Sequence, residues 1–228
     1  MVKGMMTEMI LGARPDDTMP PTSTTDRRRL LSRYPLLRHG VMITLWTLVW
    51  IAVMALPILI YAGAIQLTGN IDTVDRGKLY RSATLSGPDL RSVIRAAHIR
   101  TVINLRGANP NQSWYQDEVK VTEDEHVRLI DLPLSAIHEP DEALLGKLID
   151  ALKTSEQPML IHCSSGSDRT GLAAALYEML VLKQPSDVAR QQLSFYWGHF
   201  PWLWSPTIAM DHSFEKVAAQ LQGATQSP

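Results

Sequence analysis

Thiol is scarce in this chain: there is one cysteine, Cys163. A single thiol excludes an internal disulfide and any cysteine-rich metal centre. The seven histidines and 23 acidic residues show no metal-ligand spacing such as H-E-x-x-H, so neither a metal nor another cofactor is implied. Net charge is missing too. At −1 over 228 residues, the chain lacks the basic excess that nucleic-acid binding needs. No internal repeat is present. What remains fits one globular domain plus an appendage.

The appendage is at the N-terminus. Met1 to about Thr25 is rich in Met, Pro, Thr and Asp without periodicity, and residues 1–39 read as a disordered tail carrying Arg27, Arg28, Arg29, Arg33 and Arg38. From Val41 to Leu67 there are 27 residues without a charge, whereas about 20 apolar residues span a ~30 Å hydrocarbon core. Residues 40–67 are therefore predicted to form a transmembrane helix. The run is too long, and starts too late, for a cleaved signal peptide. Five arginines precede it, while Arg76, Lys78 and Arg81 follow. That bias predicts a cytoplasmic N-terminus and an external, periplasmic C-terminal domain.

The chemistry concentrates in Pro158-Met159-Leu160-Ile161-His162-Cys163-Ser164-Ser165-Gly166-Ser167-Asp168-Arg169-Thr170-Gly171. An apolar strand leads into the cysteine, and an apolar helix follows Gly171. A loop closing on a helix N-terminus presents backbone N–H groups and a dipole end to one point, which suits a phosphate. Arg169 can add a bidentate fork to the same anion. Thiols in such loops are typically acidified by 2–5 pKa units, or roughly 3–7 kcal/mol. A helix dipole supplies about 0.3–1 kcal/mol. It is too weak alone, so inward amides and Arg169 must do most of the work.

This Cys-x5-Arg loop, with His162 before it and Thr170-Gly171 after it, resembles the phosphate-binding loop of the cysteine-dependent protein tyrosine and dual-specificity phosphatases. Its Asp-Arg-Thr ending is similar to bacterial tyrosine phosphatases and to myotubularin-type lipid phosphatases. Tyr80-Arg81-Ser82, Thr101–Gly107, Trp114-Tyr115, Gln192-Leu193-Ser194 and Gly198-His199 extend the resemblance over roughly Gly69 to Gln220. It implies that Cys163 forms a phosphocysteine and that Arg169 binds phosphoryl oxygens. It also implies that Ser164, Ser165, Gly166, Ser167 and Thr170 surround the phosphate and that His162 tunes the thiol. The implied substrate is a phosphotyrosine protein or, given the membrane helix, a phospholipid or inositol-phosphate head group. The rival from another class is a non-catalytic, membrane-tethered phosphate-binding module. A thiol oxidoreductase is disfavoured because no second cysteine resolves a mixed disulfide.

Around this loop, strands are predicted at Leu79–Ser82, Thr101–Arg106 and Val127–Leu134, and helices at Ser86–Ala97, Trp114–Glu125 and Pro140–Lys153. Two final helices are expected around Ser186–Trp197 and His212–Leu221. Alternating strands and helices imply an α/β domain, residues 69–222, with a mostly parallel sheet flanked by helices, and a tail at 223–228. Ligands then bind at the strands' carboxyl ends. That rim should carry Arg106, either as a substrate contact or as a salt-bridge partner, together with the loop Ser135–Asp141 and the Cys163 loop. Phosphoryl transfer also needs a general acid. Ser135 and Ala136 occupy the place where many relatives carry an aspartate, which leaves Asp168, Asp141 or Glu139, and Asp131 as candidates. His138 and His199 read as ordinary histidines. The aromatics Phe195, Tyr196, Trp197, Phe200, Trp202 and Trp204 read mainly as packing for the C-terminal helices.

Overall fold

The structure is a computed structural model that describes residues 35–202 and 204–226. The arginines at 27, 28, 29 and 33 and the side chain of Arg38 lie outside the described residues. Two compact units divide at Ile58/Leu59. Helix α1, Pro35–Leu67, crosses that division. Within it, His39–Ile65 is long and apolar enough to cross a membrane, and the hydropathic stretch is unburied. The helix begins inside the segment read as a tail.

The second unit holds a five-stranded sheet in the order β1-β2-β5-β3-β4. The strands are β1 (Asp72–Asp75), β2 (Leu79–Ser82), β3 (Thr101–Asn104), β4 (Arg128–Asp131) and β5 (Met159–His162). Four run parallel, and β1 pairs antiparallel with β2 at the edge. β1 was not expected from the sequence. β3 and β4 are also shorter than the apolar runs that predict them.

Both central strands, β3 and β5, are buried at every position, as a parallel strand covered on two faces must be. The two-residue side-chain period sorts them. Val102 and Leu160 face Leu90 and Ile94 of α2 (Gly87–Ala97) and Val121 of α3 (Ser113–Asp124). Ile103 and Ile161 face α4 (Glu142–Thr154), α5 (Asp168–Leu180) and the last helix. Helix α5 packs centrally, with Leu172 to Tyr177 all inaccessible to solvent. The caps of α2 and α4 follow local chemistry. Ser86 Oγ accepts from Asp89 N–H at 3.3 Å to start α2, and Asp141 Oδ1 accepts from Leu144 N–H at 2.7 Å to start α4.

The C-terminal region departs from the two-helix expectation. Only α6 (Ser186–Ala189) is α-helical in the first stretch, and 3₁₀ turns follow at Arg190–Gln192, Phe195–Trp197 and Pro206–Ile208. Helix α7 then runs Ala209–Gln226, well into the stretch expected as a tail.

Candidate active site

Register alone gathers the site. Ser82, His162, Asn104 and Asp131 lie level across neighbouring parallel strands. Their following residues therefore leave the sheet on one rim. Cys163 is the first residue beyond β5. Arg106 follows β3, and the Ser135–Asp141 loop follows β4. These are the segments that the strand-end rule assigns to one edge.

The loop from Cys163 to Ser167 ends on α5. The N–H groups of Ser164, Ser165, Gly166 and Ser167 donate to no backbone acceptor among the described residues. Free donors beside a helix start form an anion cradle. The carbonyls, by contrast, are tied outward. Thr84 Oγ1 donates to Cys163 O at 2.9 Å, Thr84 N–H to Ser164 O at 3.2 Å, and Asn70 Nδ2 to Ser165 O at 3.0 Å. Arg81 Nη2 donates to Gly166 O at 2.8 Å. Gly166 has φ +74°, and a Cβ there would stand 2.8 Å from the Ser82–Ala83 backbone. Only glycine fits that bend.

Arg81, counted among the charges after the apolar span, lies in the strand expected at Leu79–Ser82 and is fully buried. Its guanidinium lies 4.1 Å from the centre of the Trp197 ring and donates to the Gln192 side chain and carbonyl. Burial pulls its pKa down to about 10, against the opposing pull of Cys163, Asp72 and Glu178. It stays cationic at neutral pH.

Cys163 is 1% exposed, at the base of the loop. Arg169 Nη1 donates to the carbonyls of Leu105 and Leu134, at 3.4 and 3.2 Å, which fixes it across two strand ends. Its buried Nε and the Thr170 hydroxyl have no partner among the described residues. Unsatisfied groups of this kind each cost about 1–3 kcal/mol, so their retention beside an anion cradle points to a ligand that satisfies them. Arg106 makes no ion pair among the described residues. It donates to Thr84 Oγ1 at 2.9 Å, and its guanidinium lies 3.6 Å from the centre of the Trp114 ring. Burial and the neighbouring charge of Arg169 lower its pKa, and Cys163 acts in the other sense. Arg106 thus sits within electrostatic reach of both.

His162 is buried with Nε2 2.5 Å from Glu118 Oε1 of α3. It faces the α2/α3 side of the sheet, like Leu160. The four acid candidates separate clearly. Asp131 accepts from Asn104 Nδ2 at 2.8 Å and from the Tyr115 hydroxyl. Asp141 caps α4. Glu139 is half exposed, 3.5 Å from His212 Nδ1. Asp168 alone belongs to the loop itself, with its side chain 19% exposed.

Asp168 has a partner that sequence reasoning passed over. His199 is completely buried, with Nδ1 2.7 Å from Asp168 Oδ1 and Nε2 2.8 Å from Asp211 Oδ2. Burial works against its charge, yet the hydrogen bonds to Asp168 and Asp211 prevail and push the imidazole up to about 9. It is therefore cationic at neutral pH and donates to both carboxylates. His138, in contrast, is a loop residue 3.1 Å from Ser135 Oγ. The aromatic segment also differs from expectation: Tyr196, Phe200, Trp202 and Trp204 are 63, 41, 56 and 97% exposed and do not pack the helices.

Known proteins share this fold. The dual specificity protein phosphatase TpbA of Pseudomonas aeruginosa is 29% identical over 119 residues, covering 50% of this chain and 49% of TpbA. The chain thus spans about half the length of the curated relatives it matches. Crystal structures of TpbA superimpose with TM-score 0.50, at 20% identity, over 68% of this chain and 92% of the other. One of them holds pTyr, at 19% identity, with 68% and 91% coverage and TM-score 0.50. A mutant form of Tk-PTP gives TM-score 0.53 at 15% identity, covering 67% and 96%. These likenesses establish the phosphatase fold. The family model described as "Tyrosine phosphatase family" matches residues 63–191, more than half the chain and all of the Cys163 loop, and the chain belongs to that family.

Proposed function

We propose that the protein is a cysteine-dependent phosphatase that hydrolyses phosphomonoesters through phospho-Cys163 without a metal. The observation that carries this reading is the Cys163–Arg169 loop, with inward-facing chemistry unpartnered and carbonyls tied outward. Phosphate oxygens would take up the amides of Ser164, Ser165, Gly166 and Ser167, the Arg169 guanidinium and the Thr170 hydroxyl. Donors fixed before reaction stabilise the charge of the transferring phosphoryl group.

In the first step Cys163 Sγ attacks phosphorus in line. The P–S bond forms as the P–O bond to the leaving group breaks. The leaving oxygen takes a proton relayed through Asp168 from His199 Nδ1, 2.7 Å away. In the second step water attacks the phosphocysteine, the P–S bond breaks, and Asp168 recovers a proton from that water. His199 also fixes the carboxylate's orientation. Asp131 and Asp141 are less suited because neither belongs to the Cys163–Arg169 segment: Asp131 is held by Asn104 and Tyr115 at the end of β4, and Asp141 caps α4. His162 supports the strand end through Glu118, and Arg106 can meet the substrate beyond the phosphate.

Phosphotyrosine is the favoured substrate class, because a TpbA structure of the same fold holds pTyr. A phospholipid or inositol-phosphate head group is the second reading, and the long apolar helix supports it. Panels of phosphotyrosyl peptides and phosphoinositides presented to the full chain decide between them. With an aryl phosphate, Cys163→Ser should lower turnover by at least ~10³-fold; retention of the native rate overturns the mechanism.

The anchor belongs to the same proposal. His39–Ile65 would cross a bacterial inner membrane once, with the domain at 69–222 on the periplasmic side. With Arg81 buried in the site, five arginines before the span face only Arg76 and Lys78 after it, which strengthens the orientation. Protease accessibility of the C-terminus in intact spheroplasts tests it.

A further inference from the structure

Residues 195–208 contain six aromatic side chains and no Asp, Glu, Lys or Arg. Four of the six project into solvent, with Trp204 almost wholly free, and Ile208 is 41% exposed. A contiguous apolar surface of this kind marks an interaction site. The exposed set is rich in Trp and Tyr, whose rings are apolar and whose N–H or O–H needs a polar partner. That combination suits the headgroup zone of a bilayer better than its oily core or bulk water.

The position of the segment names its occupant. Leu59–Leu67, the last two turns of α1, belong to the same compact unit as the catalytic fold. Three tethers hold the aromatic segment to that helix end. The Tyr61 hydroxyl donates to the Tyr196 carbonyl. The rings of Tyr61 and Phe195 lie 5.8 Å apart. Asn70, three residues past the helix, donates from Nδ2 to the Trp197 carbonyl at 3.0 Å. Tyr61 precedes the end of the apolar stretch, Ile65, by four residues, or about 6 Å along a helix. That depth is where an interfacial aromatic belt lies.

We infer that Tyr196, Phe200, Trp202 and Trp204 form a bilayer-docking surface that seats these exposed aromatic rings among lipid head groups beside the exit of α1. The inference rests on the membrane-anchor reading above. It gives the domain a fixed face toward the lipid, in addition to the single covalent tether of α1.

The test uses the full chain in phosphatidylcholine/phosphatidylglycerol vesicles. W46F and W50F remove the two tryptophans of the apolar helix and keep it apolar. Lipids brominated at shallow acyl positions should then quench about a third or more of the remaining emission, as interfacial tryptophans require. Adding W202Q and W204Q, or W202F and W204F should the polar pair disturb folding, should reduce that quenching by at least about threefold. If the chain floats with the vesicles but brominated lipid has no effect, docking is overturned and the anchor stands. If it does not float with them, both fall. Emission that ignores bromine but shifts to the blue as the protein-to-lipid ratio rises assigns the surface to a second copy of the chain, and this also overturns docking.

Discussion

Two loops meet at Asp168. The Cys163–Ser167 loop is short, follows a fully buried strand and is closed by a glycine that nothing else can replace. The Ser194–Ser205 segment is longer, mostly irregular and half exposed, yet it reaches the same point. His199 contacts Asp168, Trp197 stacks on Arg81, and Arg81 holds Gly166 O. Gly198, with φ +83°, is another close approach, since a Cβ there would stand 2.9 Å from Ser167 Oγ. In the proposed mechanism one loop supplies the groups that touch phosphate. The other holds them in place, and it does so through buried polar contacts rather than through apolar packing.

If that division of labour is right, substitutions in the two loops should differ in kind as well as in size. After Cys163→Ser, the largest effect should come from Arg169→Lys, which keeps charge but loses the planar fork: kcat should fall about 10²–10³-fold, read by steady-state kinetics. Asp168→Asn should cost about 10²-fold in kcat/KM, which reports the first step, with aryl phosphates of poor leaving groups, and much less with good ones that need no proton. A loss independent of leaving group would transfer the acid role elsewhere.

His199→Gln belongs to the positioning loop and should lower kcat by about 10–100-fold with KM little changed. It should also alter pH stability. The folded imidazole is raised to about 9 from its ordinary 6.5. Its contribution is therefore complete below about 6.5 and lost as pH rises through about 9, amounting to roughly 3 kcal/mol at most. Chemical denaturation at several pH values should show native stability falling across that window and the variant nearly flat. The smallest effect should come from Asp141→Ala. Losing the α4 cap costs about 1 kcal/mol while turnover stays within about twofold. A large loss of activity there would reinstate Asp141 as a candidate acid.

The same contrast explains what could be read from the chain. The catalytic loop was legible because its signals are local: a buried parallel strand reads as an apolar run, and Cys163, Gly166, Asp168 and Arg169 stand within seven residues. The acid question narrows only in three dimensions, where Asp131 and Asp141 acquire partners. β1 escaped notice because Asp72-Thr73-Val74-Asp75 offers one apolar residue, and its pairing with β2 carries an irregularity between Thr73 and Asp75. The stretch after Ser186 reads as helix by propensity. Tertiary contacts override it at Gln192, whose carbonyl and side chain accept from Arg81 across 111 residues. His199 looked ordinary because Asp168 and Asp211 lie 31 and 12 residues away. The strand at Arg81 was legible but its burial was not, because the partners that hold a buried cation, Gly166, Gln192 and Trp197, lie far along the chain.

The claim beneath all of this is that the Cys163 sulfur bonds to phosphorus during turnover. Rapid acid quench of the full chain with an aryl phosphate, followed by mass spectrometry of the peptide spanning residues 159–169, tests it directly. The account predicts a phosphoryl adduct on Cys163 that forms before phosphate is released, and that accumulates in Asp168→Asn with a good leaving group because hydrolysis then lacks its base. Phosphate released at the native rate with no adduct at any time would contradict it.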